Sequence, residues 1–201
     1  MSTWFKDIHL KEDGVSLQPL KTGHKQGLLK AASDGELWEL WYTSVPSQKT
    51  VDSFINTALE EQKNEKSIPF VVVDDQTNTV IGSTRFMNIE AANKRLEIGH
   101  TWYAKSHQKT GVNTKCKLML LTYAFEHLDC IAVEFRTNWF NFNSRNAILK
   151  LGAKQDGVLR NHRIDHNGLL RDTVVFSILK QEWPGVKKHL EFRLTQNSSR
   201  K

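Results

Sequence analysis

The chain has 201 residues, of which 39% are hydrophobic and 25% are charged. This length and balance fit one soluble globular domain and exclude a disordered or fibrous protein. The formal net charge of +6 would suit an anionic partner. No regular alternation of basic and aromatic residues accompanies the charge, so we do not expect a nucleic-acid partner.

The start of the chain, Met1–Gly14, is polar and carries charges of both signs, so it does not look like a signal peptide. No apolar run approaches the roughly 20 residues of a membrane helix. We therefore expect a cytoplasmic protein without a membrane partner. Cys116 and Cys130 lie in apolar contexts, without a CxxC or His/Cys cluster. This predicts buried reduced thiols and no metal site.

The first predicted elements are a strand over 15–20 and a short helix around Leu28–Ala32. The aromatic stretch Leu37–Tyr42 indicates either core packing of short helices or one wall of a substrate cleft, because Trp and Tyr serve both purposes. Apolar residues at helical spacing then predict an amphipathic helix over about 50–66.

A change to strand composition follows this helix. Further along, the predicted elements are a hairpin of 68–73 and 79–86, a strand over Arg95–Ala104, a helix over about 114–128, a strand over 131–137, a helix over Asn141–Leu151, a hairpin that starts near Val158 and returns over Asp172–Leu179, and a C-terminal helix from Trp183. Gly99 inside its strand marks a bulge or a close backbone approach. This order predicts a mixed α/β sheet in one domain.

The most informative segment is the polar loop Gln108–Asn113, which lies between a predicted strand and a long helix. Free backbone N–H groups at a helix N-terminus bind phosphate, and Gly111 would let a ligand approach closely. Lys105 and Lys109 add positive charge. The spacing matches neither GxGxxG nor GxxxxGK[ST], so on spacing alone the loop is either an anion site or a tight turn.

The segments around this loop resemble the GNAT superfamily of acetyltransferases. Glu97–Trp102 followed by Gln108–Asn113 is similar to its strand and its loop pattern Q/R-x-x-G-x-G/A. Asn141-Phe-Asn-Ser144 matches the N-x-x-S of the RimJ/RimL-like branch, the ribosomal-protein N-terminal acetyltransferases. Leu149–Ala153 and Arg171–Val174 resemble later strands of that branch.

The resemblance implies a single-domain α/β (α+β) GNAT fold, in which a mixed central sheet of about seven strands splits to hold acetyl-CoA and is flanked by helices. It covers about 13–185, and we expect 186–201 to form a C-terminal helix and a frayed basic tail. The implied activity is acetyl transfer from acetyl-CoA to a primary amine by direct attack. The acceptor is a protein N-terminus or a small amine.

A non-catalytic acyl-CoA-binding or regulatory module is the alternative function. The expected partners are acetyl-CoA, the amine acceptor and, as one alternative, a second copy in a homodimer. Three residues depart from the family pattern: Asn113 replaces a small residue, Lys115 replaces a common Glu, and Ala153 replaces an aromatic residue.

The resemblance also implies a set of cofactor contacts. The pantetheine arm would pair with the strand backbone, and a bulge near Glu97–Gly99 would point an amide at the thioester carbonyl. The implied cofactor-binding residues are Trp102, Tyr103, Gln108, Lys109, Thr110, Gly111, Val112, Asn113, Thr114 and Asn141.

Three side chains are the implied catalytic candidates. Ser144 would donate a proton to the departing thiolate, although Ser144 and Asn141 also suit a helix cap. Glu97 would deprotonate the amine, or else form an ion pair at the end of its strand. His162 would act as a base in the loop before the last hairpin, because histidine titrates near neutral pH, or else be a solvated loop residue.

Overall fold

In the computed structural model, which describes residue 4 and residues 8–165 and 168–198, the strands form one sheet. The strands are β1 Leu10–Glu12, β2 Val15–Pro19, β3 Ile68–Asp74, β4 Thr79–Glu90, β5 Arg95–Tyr103, β6 Ala132–Asn138, β7 Lys154–Ile164 and β8 Leu170–Leu179. The α-helices are α1 Lys25–Ser33, α2 Val51–Lys63, α3 Val112–Thr122, α4 Phe142–Leu149 and α5 Trp183–Ser198.

The sheet has the strand order β1-β2-β3-β4-β5-β6-β8-β7. Neighbouring strands are antiparallel except for β5 and β6, which are parallel. The predicted mixed α/β sheet is confirmed, with eight strands in the described part of the chain rather than about seven. The additional strand is β1, a three-residue edge strand with mostly exposed side chains. It is too short to produce a recognisable alternation of polar and apolar residues.

Both faces of the sheet are covered by helices, which gives the protein two hydrophobic clusters. Strand β3 is a nearly continuous apolar run that is buried on both faces of the sheet, so successive side chains enter different clusters. Its Phe70 and Val72 pack in the cluster that contains α3 and α5, while Val71 and Val73 pack in the cluster that contains α1 and α2. Cys116 and Cys130 are buried free thiols.

The helices begin and end near the predicted positions. α3 starts at Val112 and continues through a π-helical turn over Tyr123–His127. α5 extends to Ser198, and the predicted boundary between residues 185 and 186 falls inside it. Residues 199–201 of the predicted tail lie outside the described residues, and the division of the chain at 185 stays a prediction.

Two negative findings apply to the described residues. None of their helices is long and apolar enough to cross a membrane. No three His, Cys, Asp or Glu side chains among them are grouped as a metal site would need.

The contact between β4 and β5 is unusually close at Gly82, and it generates a prediction. A Cβ atom at Gly82 would lie 2.3 Å from the carbonyl oxygen of Trp102, whereas a Cβ at Gly157 in β7 would meet nothing within 4 Å. We expect Gly82→Ala to lower the free energy of unfolding by roughly 1–3 kcal/mol, because two backbones must separate. Gly157→Ala should change it by less than about 0.5 kcal/mol. Urea unfolding measures both, and equal effects would contradict this account.

Candidate active site

The two parallel strands in the middle of the sheet are paired only where they begin. β5 and β6 share three register pairs, the last joining Glu97 to Glu134. Beyond this pair β5 runs on to Tyr103 against β4, and β6 runs on to Asn138 against β8. The side of β5 that faces β6 therefore has no strand partner after Glu97 within the described residues. A split opens between the two strands.

Only the backbone of the last β5 residues faces this split. The Trp102 side chain packs in the cluster of α1 and α2, and the Tyr103 side chain packs in the cluster of α3 and α5. The N–H of Ala104 donates to Ile81 of β4, at 2.8 Å. The Tyr103 carbonyl of the same trans peptide must then point away from β4, into the split.

A bulge in β5 lies just beyond the end of the pairing with β6. Opposite Thr84 of β4, β5 carries the two residues His100 and Thr101, and His100 has a φ of +47°. The bulge is thus one residue further on than the predicted Glu97–Gly99. From α3, the buried Lys117 donates to Thr101 Oγ1 at 2.8 Å, and Thr84 Oγ1 lies 2.8 Å from the same oxygen. Burial lowers the pKa of Lys117 to about 8.

The N-terminus of α3 has the geometry of an anion site. Gly111 occupies the N-cap position with a φ of +97°, and Lys109 before it has a φ of +62°. No side chain caps the helix, and its first turn has no acidic residue. Val112 and Asn113, predicted as loop, already belong to the helix. The first-turn amides and the helix dipole therefore favour an anion here.

The loop before α3 is held by its own side chains. Gln108 Nε2 donates to the Tyr103 carbonyl at 2.9 Å, and Thr110 Oγ1 donates to a backbone carbonyl within the loop at 2.7 Å. Gln108, Lys109 and Thr110 are exposed, whereas Thr114 is buried in the helix. Lys115 lies 2.6 Å from Asp13 Oδ2 in the β1–β2 turn. This ion pair partly neutralises the charge of Lys115.

The start of α4 brings Asn141 and Ser144 together after β6. Asn141 Oδ1 accepts a hydrogen bond from the Ser144 backbone N–H at 3.0 Å, so the expected helix cap is present. The cap uses the Ser144 backbone and leaves its hydroxyl without a protein partner among the described residues. Arg145 in the next position stacks over Trp139, 4.4 Å from the ring centroid.

Glu97 lies at the last pair of β5 with β6 and is only 5% exposed. Asn88 donates to its Oε2 at 2.7 Å, and Arg136 Nε lies 3.6 Å from the same oxygen. Burial raises the pKa of Glu97, although both partners oppose the rise. The carboxylate is thus a stronger base than an exposed one.

His162 lies within β7 and not in a loop, so the predicted position was wrong. Between Leu159 and Arg163 the strand carries extra residues relative to β8. Within this bulge the backbone N–H of Asn161 donates a hydrogen bond to the Asp172 carboxylate. Partial burial and neighbouring arginines lower the pKa of His162. Those arginines are Arg163, Arg136 and Arg171.

The aromatic stretch near residue 40 reaches the loop after β6. The rings of Trp41 and Phe140 have centroids 5.7 Å apart, and Trp41 meets Tyr42 edge-on at 5.6 Å. Leu37 is buried in the core, whereas Trp41 is 49% exposed. The core-packing interpretation therefore applies to Leu37, and a cleft wall at the exposed end of the stretch stays a prediction.

Sequence reasoning missed several charged residues around Glu97. Arg85 is 2% exposed and lies 3.2 Å from Glu61, and the β5 bulge carries His100. The pKa of His100 is lowered by desolvation among the surrounding side chains and by nearby arginines, although the residue as a whole is partly in contact with solvent. A signal was available in β6 and β8, because successive side chains of a strand point to opposite faces of the sheet. This alternation places Arg136 and Arg171 on the face opposite the α3 cluster.

Comparison with known families identifies the family of the chain. The family described as acetyltransferase (GNAT) domain matches residues 15–154. The chain belongs to the GNAT acetyltransferase family. The predicted resemblance is confirmed, and the protein is an acetyl-CoA-dependent acyltransferase.

Three relatives illustrate the range of similarity. A Bacillus subtilis (strain 168) protein provisionally named ribosomal N-acetyltransferase YdaF is 33% identical over 109 residues, which are 54% of this chain and 58% of that protein. A provisionally named acetyltransferase from T. thermophilus has a crystal structure with a TM-score of 0.83 and 31% identity, covering 96% of this chain and 100% of that one. Mycobacterium smegmatis RimJ in complex with CoA-disulfide shares the fold, with a TM-score of 0.75, 20% identity and 93% of each chain covered.

The positive charges around His162 generate a prediction about its titration. We expect its imidazole to titrate below the ordinary value of 6.5, and Arg171→Gln to move the midpoint upward because one of the opposing charges is removed. Arg145→Gln is the matched control, since Arg145 stacks on Trp139 and Phe142. NMR of the imidazole nitrogens measures the midpoints. An unchanged His162 midpoint in Arg171→Gln would contradict the assignment of part of the lowered pKa to the charge of Arg171.

Proposed function

We propose that this acetyltransferase moves the acetyl group of acetyl-CoA to a primary amine by direct attack, with the thioester held in the split between β5 and β6. The observation that carries the proposal is the end of strand pairing at Glu97 and Glu134. Unpaired backbone beyond that point can bond an extended ligand as an added strand would.

Two further features support acetyl-CoA as the ligand of the split. The uncapped N-terminus of α3 suits a pyrophosphate, because Gly111 leaves room for a phosphate to approach and the helix dipole attracts it. The exposed loop residues Gln108, Lys109 and Thr110 would line that phosphate, with Val112, Asn113 and Thr114 in the first helical turn. The backbone of Trp102 and Tyr103 would meet the pantetheine arm, and Asn141 would face it from α4.

The reaction forms one bond and breaks one. The neutral amine nitrogen attacks the thioester carbonyl carbon, and the oxygen takes negative charge in the tetrahedral intermediate. A backbone N–H at the β5 bulge would stabilise this oxyanion. Collapse breaks the carbon–sulfur bond and gives the amide. One proton leaves the nitrogen and one joins the departing CoA thiolate, so the sum is amide plus CoA thiol.

Glu97 is our candidate for the base that removes the proton from the amine. Its position beside the split and its raised pKa support this role, because a buried carboxylate accepts a proton more readily than an exposed one. His162 is the second candidate, since its lowered pKa keeps the ring neutral and able to accept a proton at neutral pH.

The acceptor would approach along the wall formed by Trp41 and Phe140. Flat aromatic surfaces suit either a peptide N-terminus or a small organic amine. The provisional ribosomal name of one relative favours a protein N-terminus. Acetyl transfer to a panel of peptides and small amines, followed by CoA thiol release and product mass, tests the function. Acetyl-CoA binding without any release would contradict it.

Ser144 is our candidate for the proton donor to the thiolate. Because the α4 cap uses its backbone N–H, Ser144→Ala should leave the free energy of unfolding within about 0.5 kcal/mol. We expect kcat to fall at least about tenfold, as for loss of one proton-transfer group. Asn141→Ala is the structural comparison and should lose about 1 kcal/mol of stability with the cap. Unchanged turnover in Ser144→Ala would remove Ser144 from the mechanism.

Glu97→Gln should lower kcat by about 10²–10⁴-fold, since the variant cannot accept the proton. In the parent enzyme the base must be ionised, so activity should rise with pH through a pKa above the ordinary value of 4.5. The variant should lose this rise. Glu90→Gln is the control, because Glu90 is an exposed residue at the end of β4. Equal and near-normal rates in Glu97→Gln and His162→Ala would indicate that water alone takes the proton.

A further inference from the structure

Two arginines face each other across the last hairpin. Arg163 of β7 and Arg171 of β8 are register partners in an antiparallel pair, so their side chains lie on the same face of the sheet. Like charges in directly opposite positions repel and destabilise a hairpin. Burial and the charge of Arg163 together lower the pKa of Arg171. The fold therefore holds an unfavourable pair in place.

Neither arginine of this pair forms a hydrogen bond or ion pair within the described residues, and Arg171 Nε is buried without an acceptor. The nearby carboxylates are used elsewhere. Asp172 binds Arg160 and the Asn161 backbone, and Asp165 accepts the Leu169 backbone N–H. The hairpin thus presents two guanidinium groups without an ion-pair partner among the described residues, and the buried Glu97 is the carboxylate that acts on them at longer range.

Other arginines on this face have acidic partners. Arg136 and Arg95 both bind Glu134, and Arg85 binds Glu61. The excess of positive charge is therefore concentrated at Arg163 and Arg171. We call these two residues the arginine pair.

The arginine pair lies beside the candidate base. Arg163 opposes the rise in the pKa of Glu97, and Glu97 in turn raises the pKa of Arg171. The pair also acts on His100 at the β5 bulge. Val174 and Phe176 of β8 face the α3 cluster, which places the partly exposed Arg171 on the opposite face, the same face as the buried Glu97. A molecule bound to the pair would reach the mouth of the split.

We propose that the arginine pair binds an oxyanion of the amine acceptor, so that the preferred acceptors carry a carboxylate close to the reacting amine. This inference rests on the proposed function and adds the substrate class. A guanidinium group binds a carboxylate through two paired N–H donors. One arginine would therefore be enough for one ion pair, and this hairpin provides two. The carboxylate would relieve the repulsion between the arginines while the amine faces Glu97.

Matched acceptors that differ only in charge test the proposal. One arm compares peptides with Glu or Gln as the second residue, and the other compares free glutamate with glutamine. We expect kcat/KM to be at least about tenfold higher for the acidic member of one arm, since charged hydrogen bonds contribute about 1.5–3 kcal/mol. The arm with the preference identifies the source as peptide or free amino acid.

Arg163→Gln and Arg171→Gln should bring the ratio of acidic to neutral kcat/KM close to one. Neither should lower the melting temperature, because each removes a repulsion. Lys154→Gln is the matched control, with the same charge change at the other end of β7, and should keep the ratio. A preference that survives in both arginine variants would overturn the proposal, as would the absence of any preference in the parent enzyme.

A binding measurement separates failure of this proposal from failure of the proposed function. Calorimetry with the acetylated Glu and Gln peptides and with N-acetylglutamate and N-acetylglutamine does not require turnover. We expect an acidic product to bind more tightly, with an affinity that falls as salt increases and that is lost in Arg171→Gln. Transfer to neutral amines without tighter acidic binding would overturn only the arginine proposal. Tighter acidic binding without any transfer would overturn only the catalytic function.

Discussion

The architecture of the site depends on where the backbone hydrogen bonds of β5 stop. Each strand of the sheet must satisfy its amides, and β5 does so against β4 while β6 does so against β8. The bulge at His100 and Thr101 turns β5 away just after its last pair with β6. The Tyr103 carbonyl that faces this opening accepts a hydrogen bond from Gln108, and a ligand that supplies partners to the remaining open backbone would be held there. The family membership and this geometry agree.

The two sides of the sheet near that opening differ in their electrostatic environment. The α3 side offers backbone amides at an uncapped helix start, with Lys115 drawn away to Asp13. The opposite face carries Glu97 with a raised pKa, among arginines that lower the pKa of His162. An anionic cofactor at α3 and an acceptor beside Glu97, as proposed, would therefore meet different electrostatic fields on the two sides of one sheet.

Much of the fold was predictable from local patterns. The β-rich apolar run over 68–73, the helical spacing in α2 and the order of elements all predicted the right layers, because burial of apolar side chains dominates these segments. The sequence patterns failed to predict strands in which few side chains are buried. β1 is a short edge strand, and β7 is exposed along most of its length, so His162 looked like a loop residue. The cap at Asn141 was predictable, since its chemistry is local.

The sequence by itself determined the family, the glycine-containing loop before α3 and the cap of α4, because each is carried by a few neighbouring residues whose backbone chemistry is fixed locally. Only the tertiary structure decided which side chains share the space beside the split. Arg163 and Arg171 are brought opposite one another by the register of a hairpin, and Glu97 is surrounded by residues from β4, β6, β7 and β8. Burial and long-range charge depend on contacts between distant segments, and no short stretch of sequence contains them.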